Sequence, residues 1–315
     1  MAYLVNVLGE PVTLSVLIGA DQSLIGLKVN SSKIISMKFG ELGNIVLEIY
    51  GIAEKNRFVH SVMDHCRLPT VHGEIRDLND CDLIVLETIC ENPSDYFATY
   101  TMLKALKLYH GADIYSCYSV NYRFKDGKLC YSGIGDMIQY RHAIGMIKPH
   151  YALTEKQKTE FAGWYSSVFL KINQSDCNDV YRAMVRRYDT SYMIGICEAE
   201  YIMLFTILET LFGKKGTKIT GNIAKGTSVL IGGSAKEKRT IKDQMYKLYD
   251  VRSGYVHHGK DVSDESLFKL REIVRRVLVE ICNRGYHVKD KSLTKLRNTL
   301  LRNDKHSPEN AKKDK

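Results

Sequence analysis

The densest chemistry in this sequence lies in the stretch Leu248, Tyr249, Asp250, Val251, Arg252, Ser253, Gly254, Tyr255, Val256, His257, His258, Gly259. An arginine stays ionised and offers a planar fork of donors suited to phosphate, while a histidine exchanges a proton near neutral pH. Those are the two capacities that metal-free cleavage of a phosphodiester requires. One group neutralises charge growing on the phosphoryl oxygens, and the other moves protons at an attacking 2'-hydroxyl or at the leaving oxygen. Spacing sets a condition on the pair. Five residues of regular helix turn through about 500°, leaving Arg252 and His257 roughly 140° apart. They converge only if the helix ends between them, for which Ser253-Gly254 and His258-Gly259 offer places. The competing reading puts Arg252 in a structural salt bridge and the histidines at a helix C-terminus, where the dipole favours them.

The charge around these residues is uneven. Residues 1–180 carry 17 Lys or Arg against 20 Asp or Glu, and residues 181–315 carry 28 against 16, so the net charge of +9 belongs to the second half. Such a field attracts phosphate polymers, though solubility or an acidic protein partner would also account for it. Lys260 and the group Arg271, Arg275 and Arg276 are candidates for contacts to an RNA backbone, with Arg271 and Arg275 on one helix face. Alternatively they form the solvated side of a helix. Gly213-Lys214-Lys215-Gly216-Thr217-Lys218 lacks the spacing of a phosphate-cradling loop and follows a helix instead of a strand, so it reads as a basic turn.

Other classes find less support. The longest apolar runs fall well short of the roughly 18 to 20 residues that cross a bilayer, and the N-terminus lacks the pattern of a secretory signal, so a cytoplasmic protein without a membrane segment is expected. Eight cysteines occur, none two residues from another, and are expected to be reduced. His60, His65, Cys66 and His72 form a loose cluster whose order matches no zinc pattern. Neither a metal nor a cofactor is expected; a zinc enzyme built on that cluster is the least supported reading.

The elements that must position the site change style along the chain. From residue 3 to about 87, short branched runs alternate between glycines: 13–18, 24–29, 33–39, 44–50 and 82–87 read as antiparallel strands, with a sandwich or open barrel as their packing. Residues 95–109 have a helical period, and 121–124 and 129–132 flank a turn at Lys125-Asp126-Gly127-Lys128. Thr154 with Gln157 forms a capping box, after which the chain is helical almost throughout: 180–187, a very apolar 192–212 closed by Gly213, 222–230, 235 to about 256, and 264–284 closed by Gly285. The expected fold is therefore α+β and multidomain. It comprises a β-rich region over 1–150 with an inserted helix, a helical bundle over 151–290, and a basic tail over 291–315 holding one more surface helix.

The helical part resembles the HEPN superfamily, specifically its Apea-like branch, through Leu248, Tyr249, Arg252, Ser253, Val256 and His257, and departs from it by placing His258 before Gly259. The stretch from Leu204 to Phe212, with Leu208-Glu209-Thr210-Leu211-Phe212, is similar to the family's first core helix. The resemblance covers about 110 residues of the chain. It implies a helical bundle that forms a homodimer, and a metal-independent endoribonuclease, with antiphage defence among the roles of such proteins. By that likeness Arg252 stabilises the scissile phosphate, His257 transfers protons with His258 as substitute or helper, and Glu209 orients Arg252 or joins the cleft. Ser253 stands where active relatives often carry asparagine or aspartate. The resemblance also implies a rival, a noncatalytic RNA-binding or dimerisation module. The N-terminal region resembles no family and is expected to sense a trigger ligand or protein, or to position substrate.

Overall fold

The structure, a computed structural model, describes residues 10–66, 78–90, 98–111, 114–126, 128–131, 151–173, 176–213, 218–289 and 292–302. The chain divides into two compact units, Met1–Phe169 and Leu170–Lys315. The first is built on a sheet and the named elements of the second are, among the described residues, all helices, so the α+β organisation expected from the change of hydrophobic period is present. Among the described residues no helix is long and apolar enough to cross a membrane.

In the first unit, strands β1 (Pro11–Ile18), β2 (Lys28–Val29), β3 (Ser32–Lys38), β4 (Asp82–Ile89), β5 (Tyr115–Lys125) and β6 (Lys128–Tyr131) form one antiparallel sheet in the order β2-β3-β4-β1-β5-β6. A sandwich or barrel needs a second sheet or closure, and here helices cover the sheet instead. Alternation sends Val12, Leu14, Val16, Ile35, Met37, Leu83, Val85, Tyr118, Val120 and Tyr122 to one face, where they pack on Phe39, Leu42, Ile45, Val46, Phe58 and Val62. These come from α1 (Phe39–Tyr50) and α2 (Ile52–Cys66). Residues 44–50, read above as a strand, are thus the second half of α1. Leu42, Ile45, Val46 and Ile49 recur at helical spacing, and burial on the sheet outweighs the strand preference of their branched side chains.

The opposite sheet face carries hydroxyls that pair across neighbouring strands, Ser32 with Thr88 at 3.0 Å and Ser15 with Ser119 at 2.7 Å. Helix α3 (Ala98–His110) packs against β3 and β4. The hairpin of β5 and β6 has the expected register, Phe124 opposite Leu129 and Lys125 opposite Lys128, with Asp126 in the left-handed region that its short polar side chain tolerates. Helix α4 (Glu155–Ser167) begins at the Thr154–Gln157 capping box and belongs to this first unit. Tyr151 bridges Ala20, and Lys158 donates to the carbonyl of Ile25.

The second unit consists of α5 (Asp179–Ser191), α6 (Cys197–Phe212), α7 (Ile219–Ile231), α8 (Ala235–His258), α9 (Asp264–Asn283) and α10 (Leu293–Leu301). Helix α6 is central: Tyr201, Leu204, Phe205, Ile207, Leu208, Leu211 and Phe212 are buried around most of its circumference, and it packs on α5, α7, α8, α9 and α10. The expected helix over 192–212 starts only at Cys197. Asp179–Ser191 forms a helix of its own, and Gly195, at φ 78°, turns the chain between the two. His287 is buried, with Nδ1 3.1 Å from the Cys282 carbonyl, while its main-chain carbonyl accepts from the N–H of Asn178 at 2.6 Å.

Two outcomes follow from this packing. A Cβ added at Gly226 would stand 2.3 Å from a ring carbon of the buried Phe212. Gly226→Ala therefore destabilises by about 1–3 kcal/mol in denaturant unfolding, although glycine to alanine within a helix ordinarily stabilises; a stabilised variant would refute this packing. Burial holds the His287 imidazole below its ordinary value of 6.5. The unfolded chain therefore takes up this proton first. The contribution is fully present above pH 6.5 and declines as pH falls, until the folded state is protonated as well. His287→Gln should flatten the stability profile as pH falls through 6.5 and below, and an unchanged slope would show that the side chain is solvated.

Candidate functional site

Helix α8 carries the candidate residues and runs unbroken through them. Ser234 caps its start by accepting from the N–H of Glu237, and Gly259, at φ 64°, closes its end with an N–H directed at the carbonyls of Gly254 and Tyr255. The helix does not end between Arg252 and His257. Their side chains leave the same rod about 140° apart, and within one chain they do not converge. The expected break fails because Ser253 and Gly254 lie within continuous hydrogen-bonded helix, and the glycine suited to a stop is the one after His258.

Arg252 faces α6. Its guanidinium lies 3.0 Å from Oε1 of Glu209, with both side chains about a quarter exposed, at 22% and 24%, and its Cζ stands 5.3 Å from the centroid of the Tyr249 ring. Neither Glu209 Oε1 nor Arg252 Nε has a hydrogen-bond partner among the described residues, so the contact is an ion pair without hydrogen-bond alignment. The same interface holds Tyr201, whose hydroxyl donates to the carbonyl of Leu248 at 2.8 Å, and the edge-on pair Phe205 and Tyr249. Hence the two stretches that carry the family resemblance, on α6 and α8, lie against one another. Ser253 is half-buried. His257 and His258 are exposed in the last turn of α8, their ring centroids 6.4 Å apart.

The expected backbone-contacting residues divide. Lys260 is exposed, just beyond the helix end. Arg271 is not at the surface: it is paired with Glu200, the two side chains are 5% and 0% exposed, and its guanidinium lies over the Tyr192 ring at 4.5 Å. Arg271 and Arg275 do share a face, but it is turned toward Tyr188 and Tyr192, and Arg275 makes two bonds to Glu272 at 2.8 and 2.6 Å. Arg276 bonds Glu237 at 2.8 Å and the Ile231 carbonyl at 2.9 Å, while Arg284 bonds Glu280 at 2.7 Å and the Leu230 carbonyl at 3.0 Å. These last two satisfy carbonyls at the end of α7 that have no partner within their own helix. They line a cleft of about 380 Å³ whose arginines all have carboxylate partners. The arginines of α9 thus serve the fold first.

The positive groups of α8 that reach solvent were missed by the sequence reading. Lys236, Lys238, Arg239, Lys242 and Lys247 are exposed, and none of them takes part in an ion pair among the described residues. The signal was the run Lys236-Glu237-Lys238-Arg239 at the helix start, with further basic residues at helical spacing.

Among the described residues no group of three metal-ligating side chains occurs; His72 and the side chains of His65 and Cys66 lie outside what is described, as do residues 214–217 of the basic turn. The seven described cysteines are free thiols, and burial pushes the Cys282 thiol up to about 12.

The buried Glu200–Arg271 pair yields a direct check. Arg271→Ala leaves a carboxylate without its counter-charge inside the bundle and should cost about 3–5 kcal/mol, read by chemical denaturation. A loss under about 1 kcal/mol would place the pair in water. Compared with protein-family models, with curated proteins and with solved structures, the chain matches none.

Proposed function

We propose that the helical unit is an RNA-handling module of the HEPN kind, acting as a metal-independent endoribonuclease when two copies of the chain meet. The observation that carries this reading is the apposition of the two resembling stretches, fixed by Glu209 against Arg252 at 3.0 Å, with His257 solvent-exposed one and a half turns further along the same helix. A guanidinium fork and a proton carrier facing different directions on one rod cannot both reach a single phosphate. A second chain supplies the missing half, with Arg252 of one copy approaching His257 of the other. In the reaction the RNA 2'-oxygen attacks the adjacent phosphorus, losing its proton to an imidazole. The bond to the 5'-oxygen breaks as that oxygen gains a proton, leaving a 2',3'-cyclic phosphate and a 5'-hydroxyl. Arg252 would stabilise the phosphoryl oxygens, and Glu209 would hold its guanidinium in place. The first unit would sense a trigger ligand or protein and release this activity in the cytoplasm, as in defence against phage.

A second reading is favoured by one specific feature. Arg252 is already held by a carboxylate and faces away from His257, which suits an RNA-binding or dimerisation module without turnover.

The two readings separate on incubation of the full chain with RNA in the presence of a chelator. On the nuclease reading cleavage proceeds, and His257→Ala lowers its rate by about 10²–10⁴-fold, with a smaller loss for His258→Ala. Equal cleavage by the parent and His257→Ala proteins would remove the proposed site. Binding without cleavage by the parent would leave the noncatalytic module.

A further inference from the structure

We infer that the exposed face of α8 is a docking track for single-stranded RNA, formed by Arg239, Lys242 and Tyr246 and leading along the helix to His257. The inference rests on the RNA-handling reading above and names the surface and strand type that it uses. At 100° per residue, Arg239, Lys242 and His257 fall at about +20°, −40° and +20° from Tyr246, a spread of roughly 60°. All four are exposed, Tyr246 to 39% although it is a large aromatic residue. Arg252 lies about 120° away on the same scale, against Glu209. His257 thus shares its face with the free cations and not with the arginine named beside it in the motif.

Three physical features point to a single strand. Arg239 and Lys242, with Lys236 and Lys247 on one flank, form no ion pair among the described residues, in contrast to Arg271, Arg275 and Arg276 of α9 and Arg284 just beyond it. Unpaired cations held in a row neutralise a phosphate backbone without first giving up a partner. Lys236 and Lys238 also sit in the first turn of α8, where the helix dipole disfavours positive charge. The one acid of the first turn, Glu237, is engaged by Arg276 and the Gly233 N–H. Finally, an exposed aromatic ring between cations gives a base somewhere to stack, which a paired duplex cannot use because its bases are covered. From Arg239 to His257 the track runs about 27 Å along the axis, room for several nucleotides. Asp243 and Asp250 border it at about +60° and +40°. The phosphates therefore run from Arg239 past the acids on the Lys242 side, and Asp250 faces a base, where it can accept from an exocyclic amino group.

The test is the salt dependence of binding of a fluorescently labelled single-stranded RNA oligonucleotide to the full chain carrying His257→Ala, followed by anisotropy with chelator present. Arg239→Gln with Lys242→Gln should weaken binding about tenfold near physiological salt and make the slope of log affinity against log salt shallower by about 1.4, at 0.7 per lost phosphate contact. Tyr246→Ser should weaken binding about fivefold or more with the slope unchanged, as lost stacking does. Asp250→Asn should tighten it. All these residues are exposed, so unchanged circular dichroism and melting confirm that each variant is folded. If the parent binds and cleaves RNA but the Arg239 and Lys242 variant keeps its affinity and slope, the track is overturned and the function stands. If the chain neither binds nor cleaves RNA, both fall. If polyglutamate competes as well as RNA and Tyr246→Ser changes nothing, the face belongs to an acidic protein and the inference fails.

Discussion

An uninterrupted rod of 24 residues, α8, governs what the candidate residues can do. Its hydrogen bonds run from the Ser234 cap to the left-handed Gly259, and every side chain between them is held at a fixed angle. Arg252 is turned toward α6 and His257 toward solvent by that regularity alone. Any chemistry requiring both at one phosphate is thereby assigned to more than one chain. His257 shares one face of the rod with Arg239, Lys242 and Tyr246, so a surface that uses all four lies within a single copy.

The distribution of charge within the helical unit follows from burial. α9 packs on α5, α6, α7 and α8, so an arginine on it enters the bundle only with a carboxylate or carbonyl to meet it. Arg271 has Glu200, and Arg276 and Arg284 have the end of α7 as well as Glu237 and Glu280. Such a pair matters most when one partner is lost, because the remaining charge is then buried without a counter-charge. α8 buries Ile241, Met245 and Leu248 along one stripe and leaves its other side to water. Its cations remain available because nothing in the fold requires them.

How far the fold was legible depended on whether neighbouring elements altered a local preference. The hairpin of β5 and β6 and the capping box at Thr154 were set by turn and cap chemistry a few residues long, and tertiary packing had no reason to override them. Residues 44–50 satisfied two periods at once, since Ile45, Leu47 and Ile49 alternate while Leu42, Ile45, Val46 and Ile49 follow a helix. Only the sheet beneath α1 selected the second. The same limit applied to the arginines of α9, whose spacing gives a shared face but not whether that face is wet.

By itself, then, the sequence determined which groups exist and where the chain changes from period 2 to period 3.6. It placed a guanidinium and two imidazoles near the end of one helix, and a positive excess in the second half. Both follow from covalent order and from local backbone geometry, which act over a few residues. The tertiary structure alone decided that Glu209 lies against Arg252 and not free in a cleft, that Arg271 is sealed against Glu200, and that the strands among the described residues form one sheet covered by helices. Each of these depends on atoms tens of residues apart sharing a low-dielectric interior, where a charge must find a partner and an apolar face a cover, and no local rule of sequence specifies which.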